Sequence, residues 1–226
     1  MLHIYRTFYE TENSPAGKRE KDVAGQRKTE EGSIEHRIGR ELLCRGLREL
    51  YGIDVSSVDS LLAEGQYGKP FLKDHPEIHF NISHCSGLVV CAFAGEPVGI
   101  DVENVKPVRD PLIRRVLHEE ELRVLSRYGQ ISENKRPVDQ PERSREFLRL
   151  FFRYWTLKES YLKQDGSGLT KEPREICFYV DPDDWDSPVR LSDPEMICTQ
   201  KLIIGPMEGG EEYVLSVCLP EKEMPV

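Results

Sequence analysis

Residues 78–103 contain three short runs with the composition of β-strands, and no other segment of the 226-residue chain restricts the fold as strongly. The middle run, Leu88–Ala94, is entirely apolar, which is typical of a buried strand. The run IHFNIS precedes it, and VGIDVE follows it after the turn Gly95–Pro97. We expect the last two runs to form a β-hairpin across that turn.

Apolar residues recur at helical spacing in three other stretches. These stretches are 33–51, 110–128 and 147–164, and the last has the strongest pattern. Ser33 stands where a helix N-cap is expected, and Gly52 lies just past the end of the same helix. Further strands are predicted at 2–9, 176–180, 196–204 and 213–219. The sequence thus predicts a β/α arrangement in each half, with domains at 1–104 and 105–226.

Two charged segments interrupt these elements. Residues 11–33 predict a loop or a weakly held helix. Residues 132–146 contain two prolines and few apolar side chains, so we expect a mobile loop without an anchor.

The composition excludes several classes of protein. Asp and Glu number 40 against 31 Lys and Arg, a net charge of −9, which argues against nucleic-acid binding. The longest apolar run is far shorter than the roughly 20 residues of a membrane span. The six cysteines include no C-x-x-C pair, so reduced, buried thiols are expected instead of a zinc site or disulfides. We therefore expect a cytoplasmic protein that binds neither nucleic acid nor membrane.

The segment GIDVE is the first with chemical content. On a strand, Asp101 and Glu103 share one face, and two neighbouring carboxylates beside a buried strand need a compensating cation. Carboxylate oxygens of this kind suit Mg²⁺ or Mn²⁺. The alternative is an exposed strand end with two solvated acids.

The segment WTLKESYLK is the second. On a helix, Glu159 and Lys163 are i,i+4 neighbours, and Trp155 lies on the same face one turn earlier. A surface salt bridge beside a core tryptophan is the usual meaning of such a pair. Gly166, which follows, fits the C-terminal end of this helix better than a phosphate loop.

Two shorter motifs precede these segments. FNISH puts Ser83 and His84 at a strand end, where they either bind phosphate oxygens or stabilise a turn. GKP holds Lys69 in a rigid turn and carries little information alone. No G-x-S-x-G elbow surrounds Ser83, so a serine hydrolase is not indicated.

In the order GKP, FNISH, GIDVE, WTLKESYLK, the four motifs resemble the 4′-phosphopantetheinyl transferases of the surfactin-synthetase-activating (Sfp-like) group. The resemblance runs from about His36 to Leu169. It implies an α+β fold of two similar α/β lobes in one chain, each a small antiparallel sheet packed by a long helix. It also implies transfer of the phosphopantetheine arm of coenzyme A to a carrier-protein serine, with release of adenosine 3′,5′-bisphosphate.

The resemblance also assigns roles. Asp101, Glu103 and Glu159 would bind the Mg²⁺ or Mn²⁺ ion, and Glu159 is the candidate base for the serine proton. Lys163 would hold the pyrophosphate and protonate the leaving group. His84 and Ser83 would contact the 3′-phosphate and α-phosphate of coenzyme A, and His84 also counts among the catalytic residues. Lys69 would lie beside the adenine, and Lys158 and Lys163 would also contact coenzyme A. Basic residues from Lys18, Lys21 and Arg37 would complete the 3′-phosphate site. Lys158 is expected to have a lesser role, and Glu121 is a second candidate base that helix phasing does not separate from Glu119 and Glu120.

The expected partners are coenzyme A and an apo acyl or peptidyl carrier protein, bound by a monomer. The carrier would dock near residues 110–128, which are rich in arginine. Two other functions stay open: a non-catalytic adaptor of the same fold that binds carrier proteins or nucleotides, and a general Mg²⁺-dependent phosphohydrolase.

Overall fold

A three-stranded antiparallel sheet and one long helix form the first half of the computed structural model. The structure describes residues 1–11, 34–131, 142–166, 171–191, 196–206 and 210–220. The sheet has the order β1-β5-β4, with β1 at His3–Phe8, β4 at His79–Cys85 and β5 at Leu88–Ala94. Helix α1, Ile34–Tyr51, packs its apolar face against this sheet, with Gly46 over the ring of Phe93. A small hairpin, β2 at Leu62–Glu64 and β3 at Pro70–Leu72, carries the GKP turn.

A four-stranded antiparallel sheet forms the second half. Its order is β6-β9-β8-β7, with β6 at Gly99–Asn104, β7 at Val189–Arg190, β8 at Met196–Ile204 and β9 at Glu212–Pro220. Helix α4, Arg145–Asp165, packs against β6 and β9. No helix in the described ranges is both long and apolar enough to cross a membrane. The predicted combination of helices with small antiparallel sheets is confirmed.

The predicted hairpin between the second and third strands is wrong. β5 pairs with β1 and β4, whereas β6 pairs with β9, more than 100 residues later. The Gly95–Pro97 turn therefore carries the chain from one sheet to the other. Periodicity identified both strands but carries no information about a partner so distant in sequence.

The long helix predicted at 110–128 is two short helices, α2 at Asp110–Val116 and α3 at Glu119–Leu125. The break lies at His118, whose backbone is extended and whose Nδ1 accepts a hydrogen bond from the Glu120 N–H (3.2 Å). The side chain of Glu121 in turn accepts from the His118 N–H (2.8 Å), completing a capping box. Local capping thus overrides the continuous apolar pattern.

Two other predictions fail in part. Residues 176–180 are not a strand, because the Phe178 N–H donates to the side chain of Glu121 and not to a neighbouring strand. The end of the predicted mobile loop is anchored, because Arg143 forms a buried ion pair with Asp110 and α4 begins at Arg145. Residues 132–141 of that loop, and the Ser33 cap, lie outside the described residues.

Helix α4 lies directly on β6, because Gly99 presents no side chain to it. A Cβ atom added at Gly99 would lie 1.9 Å from the Ser160 carbonyl oxygen and 2.4 Å from the Gln164 nitrogen. The side chain of Gln164 also donates to the carbonyl of Pro97 (3.1 Å). Glycine in a strand commonly marks such a close approach.

Gly99→Ala is therefore expected to lower the free energy of unfolding by about 3 kcal/mol, the upper end of the usual cost of overpacking, because α4 must move away from β6. Thermal and urea denaturation measure the loss. Gly52→Ala is the matched control: its φ is +68° but an added Cβ meets nothing within 4 Å. That change should cost only about 1–2 kcal/mol of left-handed strain. Equal losses for both variants would contradict the steric argument.

Candidate active site

A polar cavity of about 260 Å³ lies where β4, β6 and α4 meet. Its polar lining consists of Ser83, His84, Asp101, Glu103, Trp155, Glu159 and Lys163. Strand alternation puts the two β6 carboxylates on one face, and the i,i+4 spacing puts the two α4 residues on the same side of their helix. The structure thus brings residues from GIDVE, FNISH and WTLKESYLK to one place.

Lys163 ties three elements together at this cavity. Its Nζ lies 2.6 Å from Asp101 Oδ1 and donates to Ser83 Oγ at 3.0 Å. Ser83 Oγ donates to the same Asp101 oxygen at 2.9 Å. A helix from the second half of the chain is thereby linked to strands β4 and β6.

The cavity concentrates negative charge. Burial raises the pKa of Glu103, and the neighbouring Asp101 carboxylate raises it further. Burial also raises the pKa of Glu159, with a second contribution from Asp101, while Lys163 opposes the rise. Three carboxylates in one partly buried cavity therefore favour an additional cation.

Asp101 shows where such a cation would fit. Its side chain is only 4% exposed, and its Oδ2 is buried without a hydrogen-bond partner. An unpaired buried carboxylate oxygen is costly unless an ion or a donor approaches it. In the described part of the chain, no three His, Cys, Asp or Glu side chains already stand as a metal cluster. The donor set fits Mg²⁺ or Mn²⁺, and ligation by these residues stays a prediction.

A second cavity, of about 250 Å³, adjoins this one through Glu159 and Lys163. A third, of about 450 Å³, adjoins the second through Tyr67 and Lys69. The GKP turn forms their wall, and Lys69 lines both of them. The Nζ of Lys69 donates to the carbonyl oxygens of Val98 (3.1 Å) and Gln164 (3.2 Å). The lysine therefore neutralises the C-terminal end of α4 as well as facing the cavity.

Comparison with known proteins identifies the family. The family model described as the 4′-phosphopantetheinyl transferase superfamily matches residues 97–218. The chain belongs to the 4′-phosphopantetheinyl transferase superfamily. The matched segment carries Asp101, Glu103, Glu159 and Lys163.

Individual relatives extend the match into the first half of the chain. A Bacillus subtilis 4′-phosphopantetheinyl transferase is 32% identical over 181 residues, which are 80% of this chain and 71% of that protein. The 4′-phosphopantetheinyl transferase Sfp of Bacillus subtilis strain 168 is 30% identical over 188 residues, 83% of this chain and 75% of the relative. The 4′-phosphopantetheinyl transferase gsp of Aneurinibacillus migulanus is 35% identical over 133 residues, 58% and 49% of the two chains. The predicted family and class of enzyme are confirmed.

Two residues predicted to act in the transferase site lie elsewhere. Glu121 and Lys158 form an ion pair at 2.6 Å, with both side chains 1% exposed, and neither lines the cavity of Asp101. The two oxygens of Glu121 accept from the N–H groups of His118 (2.8 Å) and Phe178 (2.9 Å). Lys158 donates to two backbone carbonyls as well. A carboxylate with both oxygens occupied in this way is poorly suited to take a proton from a substrate, so we expect a structural role for the pair, and the predicted catalytic role of Glu121 stays a prediction.

The remaining predicted transferase residues are the basic ones of the N-terminal region. Arg37 is exposed on α1, 3.8 Å from Glu41, and does not line the described cavities. Lys18 and Lys21 lie outside the described residues.

Sequence reasoning missed Asn81 in this transferase site. It precedes Ser83 by two residues on the same strand and lines the cavity that contains Lys69, Glu159 and Lys163. Its Oδ1 accepts a hydrogen bond from the Ile100 N–H at 2.8 Å. The i,i+2 relation to Ser83 within FNISH was the available signal.

Glu121→Gln is expected to lower the free energy of unfolding by about 3 kcal/mol, because it leaves the buried Lys158 without its counter-charge. Turnover per folded molecule should stay within a few-fold of the wild type. Urea denaturation measures the free energy of unfolding, and steady-state kinetics measure turnover, both at a temperature below the melting temperature of the variant. Glu159→Gln is the matched control, for which we expect lost turnover and an unchanged free energy of unfolding. Lost turnover at full stability in Glu121→Gln would restore its role as a base.

Proposed function

We propose that this protein transfers the 4′-phosphopantetheine arm of coenzyme A to a serine hydroxyl of an apo carrier protein, releasing adenosine 3′,5′-bisphosphate. The observation that carries the proposal is the convergence of three carboxylates, a lysine and a histidine on one cavity at the seam of two sheets. A pyrophosphate needs charge neutralisation, the serine needs a base, and the leaving phosphate needs a cation. The cavity offers a residue for each of these needs.

Asp101, Glu103 and Glu159 would hold the Mg²⁺ or Mn²⁺ ion. When bound, the ion neutralises the pyrophosphate of coenzyme A. Glu159 is the proposed base for the serine proton, directly or through a water molecule. Burial raises its pKa, so its carboxylate is more basic than that of an exposed glutamate.

Lys163 is the proposed cation for the leaving phosphate. Its Nζ contacts both Ser83 and Asp101, and the residue lines the polar cavity and the adjoining one. An ammonium group so placed is suited to bind a phosphate oxygen and to donate a proton to the departing group. Ser83 adds a hydroxyl on the same side.

The other contacts to coenzyme A are proposed along the adjoining cavities. Lys69 would lie beside the adenine, and the exposed His84 would contact the 3′-phosphate. The Tyr9 hydroxyl donates to Glu35 (2.7 Å) at the start of α1 and to the Cys85 carbonyl (3.1 Å) at the end of β4. Residues on the two sides of positions 12–33 thus meet at the C-terminal end of β4, one residue after His84. Lys18, Lys21 and Arg37 stay the candidates for the 3′-phosphate on the strength of the family resemblance alone.

We propose a monomer of two lobes, because one chain supplies the whole cavity, with β4 from the first half and α4 from the second. Since β6 pairs with β9, we place the boundary between the lobes just before Gly99. The sequence analysis put the end of the N-terminal domain nearby, at residue 104. A reducing cytoplasmic location accords with six cysteines that form no disulfide.

The competing functions make different demands on the site. A non-catalytic adaptor of this fold would not need a full set of carboxylates around an unpaired Asp101 oxygen. A phosphohydrolase would release adenosine 3′,5′-bisphosphate without any carrier protein present. Both are outcomes of the experiment below.

The direct test incubates the protein with coenzyme A, Mg²⁺ and a panel of apo acyl and peptidyl carrier proteins, which are then weighed by mass spectrometry. We expect a phosphopantetheine adduct on at least one carrier, abolished by chelator and by Asp101→Ala. The variant gains from relieved repulsion among the three carboxylates but loses the ion pair between Asp101 and Lys163, so circular dichroism must first show that it is folded. Full transfer by Asp101→Ala or in excess chelator would contradict the metal-dependent mechanism.

The carrier-docking proposal concerns the exposed arginines of α2 and the following segment. Val116 and Leu117 are buried, as expected for core residues, whereas Leu112 is 39% exposed. Arg114 is half-buried and donates to the Ile131 carbonyl (3.1 Å), so charge reversal there would disturb the fold. The exposed Arg115 and Arg127 are better placed to attract an acidic carrier protein.

The double variant Arg115→Glu, Arg127→Glu is expected to raise the KM for the carrier protein several-fold at unchanged KM for coenzyme A. The effect should shrink as salt rises, since exposed charges are screened over about 10 Å at 0.1 M ionic strength. Arg45→Glu, Arg48→Glu on α1 is the matched control for a change of overall charge. Unchanged carrier kinetics would place the docking surface elsewhere.

A further inference from the structure

Strands β4 and β6 run side by side at the facing edges of the two sheets. Each is the last strand of its own sheet, and no backbone hydrogen bond between them occurs in the described residues. β6 uses one edge for its ladder with β9, and the N–H groups of Ile100 and Val102 point to the other edge, toward β4. Buried N–H groups need acceptors, so this seam requires a substitute for a backbone ladder.

Two side chains of β4 supply that substitute. Asn81 Oδ1 accepts from the Ile100 N–H at 2.8 Å, and Ser83 Oγ accepts from the Val102 N–H at 3.4 Å. The sequence separation is 19 residues in both pairs, so the strands run parallel in a fixed register. The shorter bond is the one made by Asn81. Ser83 is also shared with Asp101 and Lys163.

We propose that Asn81 is a positioning residue for the carboxylate site, because its side-chain oxygen fixes the register of β6 against β4 and so holds Asp101 in place. The inference rests on the proposed metal site. Asp101 directly follows Ile100, the residue whose N–H group Asn81 binds. The bond therefore acts one peptide unit away from the carboxylate that Ser83 and Lys163 engage.

Loss of the acceptor has a definite physical consequence. The Ile100 N–H would remain buried without a partner, since Asn81 is itself only 7% exposed. β6 would then shift to find water or another acceptor, and the 2.9 Å contact between Ser83 and Asp101 would change with it. Residues that do not bind the metal but hold its ligands in position through hydrogen bonds influence metal affinity in this way.

A direct contact with substrate is the competing role for Asn81. Its side chain lines the cavity that also contains Lys69 and Lys163, within reach of any bound coenzyme A. The two roles differ in what they change. A positioning role alters metal affinity and the protection of the Ile100 amide, whereas a substrate contact alters the KM for coenzyme A alone.

The test compares two variants of Asn81. Asn81→Leu has a similar volume but no hydrogen-bond acceptor for the Ile100 N–H. Asn81→Ser offers a hydroxyl acceptor to that N–H, as Ser83 does to the Val102 N–H. Mn²⁺ affinity is measured by electron paramagnetic resonance, and exchange of the Ile100 amide by NMR. Asn81→Leu should weaken Mn²⁺ binding about 10-fold and expose the amide, while Asn81→Ser stays within about threefold of the wild type. Gln200→Leu is the matched control for a lost buried amide. This variant loses the side-chain hydrogen bonds of Gln200 with Arg153 and Ser216. We expect a lower free energy of unfolding and an unchanged Mn²⁺ affinity.

Wild-type Mn²⁺ affinity with a protected Ile100 amide in Asn81→Leu overturns the inference. So does a raised KM for coenzyme A as the sole effect of that variant. A wild-type protein that binds no Mn²⁺ removes the metal site and the inference together. A wild-type protein that binds Mn²⁺ but modifies no carrier contradicts the proposed function, and the Mn²⁺ and exchange results for the Asn81 variants still decide the positioning role.

Discussion

Direct contact between helix α4 and strand β6 is the constraint on which the site depends. Gly99 removes the side chain that would hold the helix away, so the backbone at Ser160 lies against the strand. This close approach puts Lys163 on α4 within 2.6 Å of Asp101 on β6. A wider spacing would leave the carboxylates of the strand without their cation and without Glu159 beside them. Close packing and chemistry are therefore two consequences of one missing Cβ.

Adjacent residues of α4 meet opposite electrostatic environments. Lys158 faces the interior, where Glu121 and two backbone carbonyls satisfy it completely. Glu159, one residue further, faces a cavity with two other carboxylates and has its pKa raised by burial and by Asp101. The first arrangement contributes to stability only as a matched pair. The second is electrostatically unfavourable in the free protein, which is common where a site is built to receive a cation.

Among the residues that the structure describes, the two sheets join through side chains and not through a backbone ladder, and this explains why the site lies at their seam. Asn81 and Ser83 replace the acceptors that a neighbouring strand would offer to Ile100 and Val102. A seam of this kind leaves polar side chains and cavities where a continuous sheet would leave none. Residues from both halves of the chain can then face one substrate.

The sequence by itself determined the local elements and the phase of the chemical residues. Helical spacing defined α1 and α4, and strand alternation put Asp101 and Glu103 on one face. These features depend only on neighbours in sequence, which is why periodicity sufficed. The order of four motifs identified the family for the same reason, since each motif is local.

Only the tertiary structure decided which elements meet. It gave β6 a partner over 100 residues away, made Glu121 the buried partner of Lys158, and used Arg143 to anchor the start of α4. Each of these outcomes depends on burial and on the satisfaction of polar groups by distant residues. A pattern of neighbouring residues specifies which side of an element is apolar or charged, but the partner of that side is chosen by packing across the whole chain.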